Sequence, residues 1–259
     1  MKIILLGSGN VATHLATAIA MSENELLQVY SKTYDHAKAL VDQLNCGAEA
    51  LDNLNLIDPS ADLYLFAVSD NALSELAEKM PETSGVWAHT AGSVSINVLK
   101  KHNDHGIFYP LQTFSKSRKL DYASLPLYLD AATDKARETL TKLANSISKS
   151  VAFADDNQRK QLHLAAVFAC NFTNHLYAIA EHLLSKANLS AEALAPLIKE
   201  TSEKIAVMPA YKAQTGPAAR KDTQTIKKHM DLLDEENLKK VYQTMSDSII
   251  HSKLQTNRE

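Results

Sequence analysis

The sequence predicts an α/β fold in which a doubly wound parallel sheet is followed by an all-α C-terminal domain. Strand-like apolar runs alternate with amphipathic stretches through the first part of the chain, the rhythm of parallel strands joined by crossover helices. A glycine-rich turn follows the first of these runs at once. From Asp155 onward no strand-like run remains, and patterns of helical period occupy most of the chain.

KIILL, LLQVY, DLYLFAV, GVWAH and GIFYPL read as strands, with the segments from Val11, Thr33, Asn71 and Ser95 as helices or helical turns between them. The run PLYLDAA, a helical pattern from Asp134 to Ser148, and VAFA extend the sheet and end near Ala154. The expected division is therefore a sheet domain over residues 1–154 and a helical domain over 155–259.

The chain has 259 residues, enough for two modest domains with a sizeable core. Its 27 basic and 30 acidic residues leave a formal charge of -3, and no basic cluster stands out. Nucleic acid and anionic membranes are therefore not expected partners. Cys46 and Cys170 lie far apart in no metal-like spacing, which argues against a disulfide framework or a zinc site and for a reducing compartment. The apolar run of MKIILLGSGN is too short for a signal peptide, and a cytoplasmic location is expected.

Most of the chemistry is written in LLGSGNVATHLATAIA, a G-x-G-x-x-A pattern after a strand and opening an amphipathic helix. Gly7 suits the tight turn, Gly9 the close approach of backbone to a pyrophosphate, and Ala12 the packing of helix on strand. A diphosphate would lie on the amides of Ser8, Gly9, Asn10 and Val11, where unpaired N–H groups and the helix dipole favour an anion. The pattern alone is weak. The strand before it, the helix after it and the alternation beyond it point to dinucleotide binding.

Which dinucleotide is decided at the end of the second strand, where an acid would hold the ribose hydroxyls of NAD. Here the strand ends VYSKT, with Ser31 and Lys32 and no acid. A lysine between two hydroxyls suits a 2′-phosphate, so NADP is the expected cofactor. The bland alternative is an exposed turn lysine. Further strands end AVSD, with Val68 and Ser69, and AHTAGS, with Thr90, where ribose and nicotinamide would lie in an open α/β sheet. Asp70 also suits a plain helix cap.

From Gln161 to Ala180 there is no Asp, Glu, Lys or Arg. On a 3.6-residue wheel one face carries Ala165, Phe168, Phe172, Leu176 and Ile179, and the other His163, Val167, Cys170, Asn171, Asn174 and Tyr177. A solvent face of this length normally includes charges, so both sides are expected to be covered. In the functional reading His163 supplies a proton while Asn171 or Asn174 orients a substrate. The alternative is a hydrogen-bonded polar column at a helix or subunit packing surface.

Together, LLGSGNVATHLATAIA, VYSKT, AHTAGS, YPLQTF, HLAAVFACNF and TGPAARKD resemble the bacterial family that joins a Rossmann-like NADP-binding domain to a C-terminal helical domain of unknown function (2520). More distantly, the architecture is similar to pyrroline-carboxylate reductases, ketopantoate reductases and β-hydroxyacid dehydrogenases. That resemblance implies hydride transfer to or from a small carbonyl, imine or hydroxy acid in a cleft between the domains, and a homodimer formed through the helical domain. By position it places Gly7, Gly9 and Ala12 at the phosphates and Ser31 and Lys32 at the adenosine-ribose phosphate. Val68, Ser69, Thr90 and Gly92 would lie along the cofactor, with Tyr109 to Thr113, including Gln112, at the cleft floor. His163, Asn171, Thr215, Gly216, Pro217, Arg220 and Asp222 would form the far wall.

The chain departs from the family in places. Many members have His where this chain has Tyr109, and relatives often read Arg-Gly-Asp where it reads Arg220, Lys221 and Asp222. The lysine that β-hydroxyacid dehydrogenases use is not evident. TGPAARKD breaks the helical pattern, and the planar fork of Arg220 suits a small anionic substrate, with Asp222 holding its orientation. An Arg-Asp pair that merely pins the turn is the alternative. From a different class, the rival function is a non-catalytic NADP-binding or redox-sensing protein.

Overall fold

The computed structural model describes residues 1–252. The first strand, β1 (Lys2–Leu6), sends Ile3 and Leu5 into one apolar cluster and Ile4 and Leu6 into another, and all four are fully buried. A strand apolar on both faces needs a covering layer on each side. Those layers are supplied by α1 (Asn10–Ala20), α2 (Tyr34–Leu44) and α4 (Asp134–Ile147) on one face, and by α3 (Asp70–Lys79) with a short turn at Ile96–Leu99 on the other.

The remaining strands are β2 (Glu25–Tyr30), β3 (Glu49–Leu51), β4 (Leu63–Phe66), β5 (Val86–His89), β6 (His105–Pro110), β7 (Leu127–Ala131) and β8 (Val151–Phe153). Their order in the sheet is β3-β2-β1-β4-β5-β6-β7-β8. The order reverses between β1 and β4, so the turns after these two strands diverge and open a crevice at their carboxyl ends. The sheet is doubly wound, as expected, with one correction: β7 runs antiparallel to β6. The link between them contains no crossover helix, which a parallel return would need. That link, residues 111–126, is fastened to α1 by the buried His14, whose ring nitrogens reach Tyr122 Oη at 3.0 Å and the Ser115 carbonyl at 2.9 Å.

The capping box of Asp155 and Gln158 starts α5 (Asp156–Ala166). It continues without a break through a π-helical segment, Val167–Phe172, into α6 (Thr173–Lys186). Thr173 Oγ1 donates to the Phe168 carbonyl five residues back at 3.1 Å, a wider turn than an α-helix closes. The single 3.6-residue wheel drawn from Gln161 to Ala180 therefore does not hold past the π segment.

The chain divides into two compact units, Met1–His175 and a second that begins at Leu176. This division falls later in the chain than Ala154, where the strand pattern stops, because α5 belongs to the first unit. Within the second unit lie the end of α6, α7 (Ala195–Val207), α8 (Ala210–Ala213), α9 (Thr223–Leu232) and α10 (Glu236–Ile250). Glu235 accepts from Lys186 Nζ at 2.8 Å and pairs with His182 Nε2 at 2.9 Å, and His229 of α9 bonds Tyr242 of α10 at 2.8 Å. No helix among the described residues is long and apolar enough to cross a membrane.

Both sides of the uncharged helix were expected to be covered. In the single chain Phe168 is 62% exposed, and Leu164 and Phe172 are each 51% exposed. Within the first unit, that apolar face stays open among the described residues.

Candidate functional site

The two glycines of the turn from β1 to α1 stand in different surroundings. Gly7 has φ +133°, and a side chain there would run into the carbonyl of Ala67 after β4. Gly9 has an ordinary φ of -76°, and a methyl group on it would meet nothing within 4 Å. Its lack of a side chain serves open space in front of the helix rather than the backbone. No side chain caps α1, so the first-turn amides of Asn10 and Val11 face the crevice with no such partner.

A groove of about 440 Å³ runs from this turn across the ends of β2 and β4. Gly7, Ser8 and Gly9 form one end, Val68 and Ser69 a side, and Ser31 and Lys32 the far end. Ser8 Oγ donates to Ser31 Oγ at 3.0 Å, which joins the glycine turn to the strand end that carries Lys32. Donor set and shape fit a nucleotide with an extra phosphate: backbone amides and helix dipole at the glycine turn, then a hydroxyl and an exposed ammonium beyond it. Leu54, Glu75 and Lys79, which belong to none of the sequence motifs, also line the groove. Glu75 and Lys79 form a 2.5 Å ion pair along α3, readable as an i,i+4 pair, but their place at the groove depends on where α3 packs.

A second pocket of about 480 Å³ shares Val68 with the first and is lined by Asn10 and Val11, where the glycine turn enters α1. Thr90 and Gly92 after β5, Tyr109 and Gln112 at the end of β6, and His163 of α5 with Cys170 and Asn171 of the π segment surround it. The Tyr109 hydroxyl and His163 Nδ1 are 3.1 Å apart. Burial pushes the Tyr109 phenol up, and the charge of Arg159 acts against that push. Gln112 turns its Oε1 to the Thr113 amide at 2.8 Å. Asp70 accepts a short hydrogen bond from Ser93 Oγ, so it holds the loop after β5 rather than capping its own helix. The only ionic group in this lining is Asp70; no Lys or Arg takes part.

Asn174 is exposed and outside this lining, while Cys170 and Asn171 are within it. The π segment accounts for the difference, since the extra residue per turn rotates all that follows away from the His163 face. The sequence also gave no sign of Arg159, whose neighbours read as an ordinary charged helix start. It is fully buried, and its Nη2 donates to the Val94 carbonyl at 2.5 Å and to Asp156 Oδ1 at 2.6 Å.

In the second unit, Lys221 takes a left-handed φ of +55°, a backbone conformation that favours glycine. Asp222 caps α9, accepting from the Thr225 amide at 3.0 Å and from Thr225 Oγ1 at 2.7 Å. Among the described residues no ion pair joins Asp222 to Arg220, whose guanidinium is exposed.

Fold and site together define a dinucleotide-binding α/β protein with a helical second unit. Residues 2–90 match the family described as "NADP oxidoreductase coenzyme F420-dependent", and residues 125–249 match domain of unknown function 2520. A structure from Bacteroides fragilis, described as a candidate NADP oxidoreductase, is 40% identical and superposes with a TM-score of 0.90 over 96% of this chain and 97% of that one. The chain belongs to this family of NADP oxidoreductases with a C-terminal domain of unknown function 2520. The fold is shared with an imine reductase from Myxococcus stipitatus in complex with NADP+, at 15% identity and a TM-score of 0.64 over 96% of this chain and 93% of that one. It is shared also with 1-pyrroline-5-carboxylate reductase from Streptococcus pyogenes, at 16% identity and a TM-score of 0.62 over 96% of each chain. No protein in the curated comparison matches the sequence.

Proposed function

We propose that this protein is an NADP-dependent oxidoreductase that moves a hydride to or from a small carbonyl, imine or hydroxy-acid substrate. The observation that carries the reading is the continuity of the two pockets. A groove suited to a phosphorylated adenosine diphosphate adjoins, at Val68, a pocket lined by Thr90, Tyr109, His163 and Asn171. When bound, the cofactor supplies the hydride. The chain's own residues bind its phosphates at Gly7–Val11, hold the 2′-phosphate at Ser31 and Lys32, and handle the proton at Tyr109 and His163.

The substrate is small and anionic in this reading, and Arg220, whose planar fork suits a carboxylate, is its cation. Gln112 and Asn171 supply polar contacts, Thr90 lies beside the nicotinamide, and Asn174 belongs to the supporting helix. Asp222 acts by fixing the turn that presents Arg220. A homodimer is supported by the open face of Leu164, Phe168 and Phe172 and by the uncharged stretch around it. Exposed, unpaired Cys46 and Cys170 suit a reducing cytoplasm.

The test is NADPH oxidation by the purified protein, followed in absorbance, against a panel of small keto acids and cyclic imines. Turnover of one class is the expected result. Tight NADPH binding with inertness to the whole panel would instead support a cofactor-binding or redox-sensing role.

A further inference from the structure

The Tyr109 hydroxyl stands in the second pocket in surroundings that decide where its single proton points. Tyr109 is 7% exposed, and its ring meets that of His163 edge-on, with centroids 6.2 Å apart. A side chain at Gly92 would forbid this arrangement. A methyl carbon there would stand 2.7 Å from His163 Nδ1, 2.8 Å from His163 Cγ and 3.0 Å from Tyr109 Cε2. Gly92 therefore serves close approach, allowing both rings to reach the loop after β5.

Arg159 fixes the same approach from behind. It lies one helical turn before His163, and its bonds to the Val94 carbonyl and to Asp156 fasten α5 to that loop. Asp156 completes the clamp by accepting from the Ile96 amide at 3.0 Å. Among the described residues, Nε and Nη1 of this buried guanidinium have no hydrogen-bond partner. Its charge, paired with Asp156 on one side, still acts on the Tyr109 phenol.

We propose that Tyr109 is the proton donor of the reaction and that His163 is a positioning residue, its Nδ1–H held on the phenolic oxygen so that the phenol's own proton faces the substrate. The inference deepens the oxidoreductase reading above and rests on it. In reduction, the carbon of the C=O or C=N group accepts a hydride from the reduced nicotinamide, which is oxidised. The π pair moves to oxygen or nitrogen, the Tyr109 O–H bond breaks, and a new O–H or N–H bond forms on the product. The phenolate, in the field of Arg159, regains a proton from water entering the open pocket after product leaves.

The first test reads the proton directly. Protein labelled with 15N-histidine and saturated with NADP+ is observed by long-range 1H–15N correlation, the His163 signals being assigned by their loss in His163→Asn. A proton on Nδ1, with signals that shift in Tyr109→Phe, is the expected result. A bare Nδ1 with the proton on Nε2 overturns the proposal, because the phenol's only proton is then committed to His163. The second test is NADPH oxidation with 1-pyrroline-2-carboxylate and pyruvate as probes. Tyr109→Phe is expected to lower kcat by about 10²–10⁴-fold while leaving NADPH affinity unchanged. His163→Leu is expected to fall substantially too, and His163→Asn, which retains an N–H near the Nδ1 position, to restore part of the loss. Activity of Tyr109→Phe within about threefold of wild type overturns the proposal. If wild type turns over neither probe, the oxidoreductase reading is weakened for these substrate classes, while the tautomer still decides the arrangement of the pair.

Discussion

The backbone N–H of Ala91 donates to Nδ1 of His89 at 3.2 Å, and this bond fixes the single ring proton of a fully buried histidine on Nε2, facing the Ser95 carbonyl at 3.3 Å. His89 thereby holds both ends of the loop that carries Gly92. Its neutral form is satisfied on both nitrogens; the imidazolium would set two donors against each other at Ala91.

Burial lowers the His89 pKa to about 4, with Arg159 also acting downward and the Ser95 carbonyl, Asp156 and Asp70 acting upward. The unfolded chain binds the proton near its ordinary value of 6.5. Between these two values the unfolded state holds more protons, so stability is fully present above about pH 6.5 and is lost as pH falls toward 4. The loss from this group is about 3 kcal/mol. Urea unfolding at pH 7 and pH 4.5 should show it, and His89→Gln should give a flatter pH dependence from a lower starting stability.

Gly9→Ala separates cofactor binding from folding. The added methyl group meets no protein atom within 4 Å, and its backbone is not strained. Thermal stability is expected to stay within about 0.5 kcal/mol of wild type. NADPH affinity is expected to fall by at least about tenfold, because the methyl occupies the space where a pyrophosphate would approach. Calorimetry of folding and of binding on the same preparation checks both.

Lys32→Glu reverses the charge at the far end of the groove. Loss of a charge-assisted bond to a phosphate should weaken NADPH by about 10–100-fold and leave NADH nearly unaffected. Equal losses for the two nucleotides would place the 2′-phosphate elsewhere.

Gly92→Ala should fold with a stability loss of about 1–3 kcal/mol from overpacking. Its effect on turnover should be larger than that loss suggests, because the methyl group separates His163 from Tyr109. Turnover is measured at saturating NADPH, so that any change in cofactor affinity is separated from it.

The doubly wound sheet was legible because its strands are long apolar runs, and the alternation of Ile3 and Leu5 with Ile4 and Leu6 is written in KIILL itself. The glycine turn and Lys32 were legible for the same reason: their chemistry sits within a short span of sequence. β3 was not, since the three residues Glu49–Leu51 are too few to show a period. The antiparallel step at β7 depends on the route of a loop, and the π segment on one residue's excess in a helix, neither of which apolar periodicity records. The Tyr109–His163 pair joins positions 54 residues apart, and Arg159 looks like a surface residue until its burial is seen.

Trp87, the only tryptophan of the chain, lies buried on β5 just before the Thr90–Gly92 loop, and its emission should respond to a reduced nicotinamide in the second pocket. Titration of the wild-type protein with NADPH and, separately, NADH therefore reads both halves of the groove at once. Saturable quenching by NADPH, with an affinity at least about tenfold tighter than for NADH, is the expected result. Folded protein that binds neither nucleotide, or both equally, would contradict the assignment of this groove to NADP.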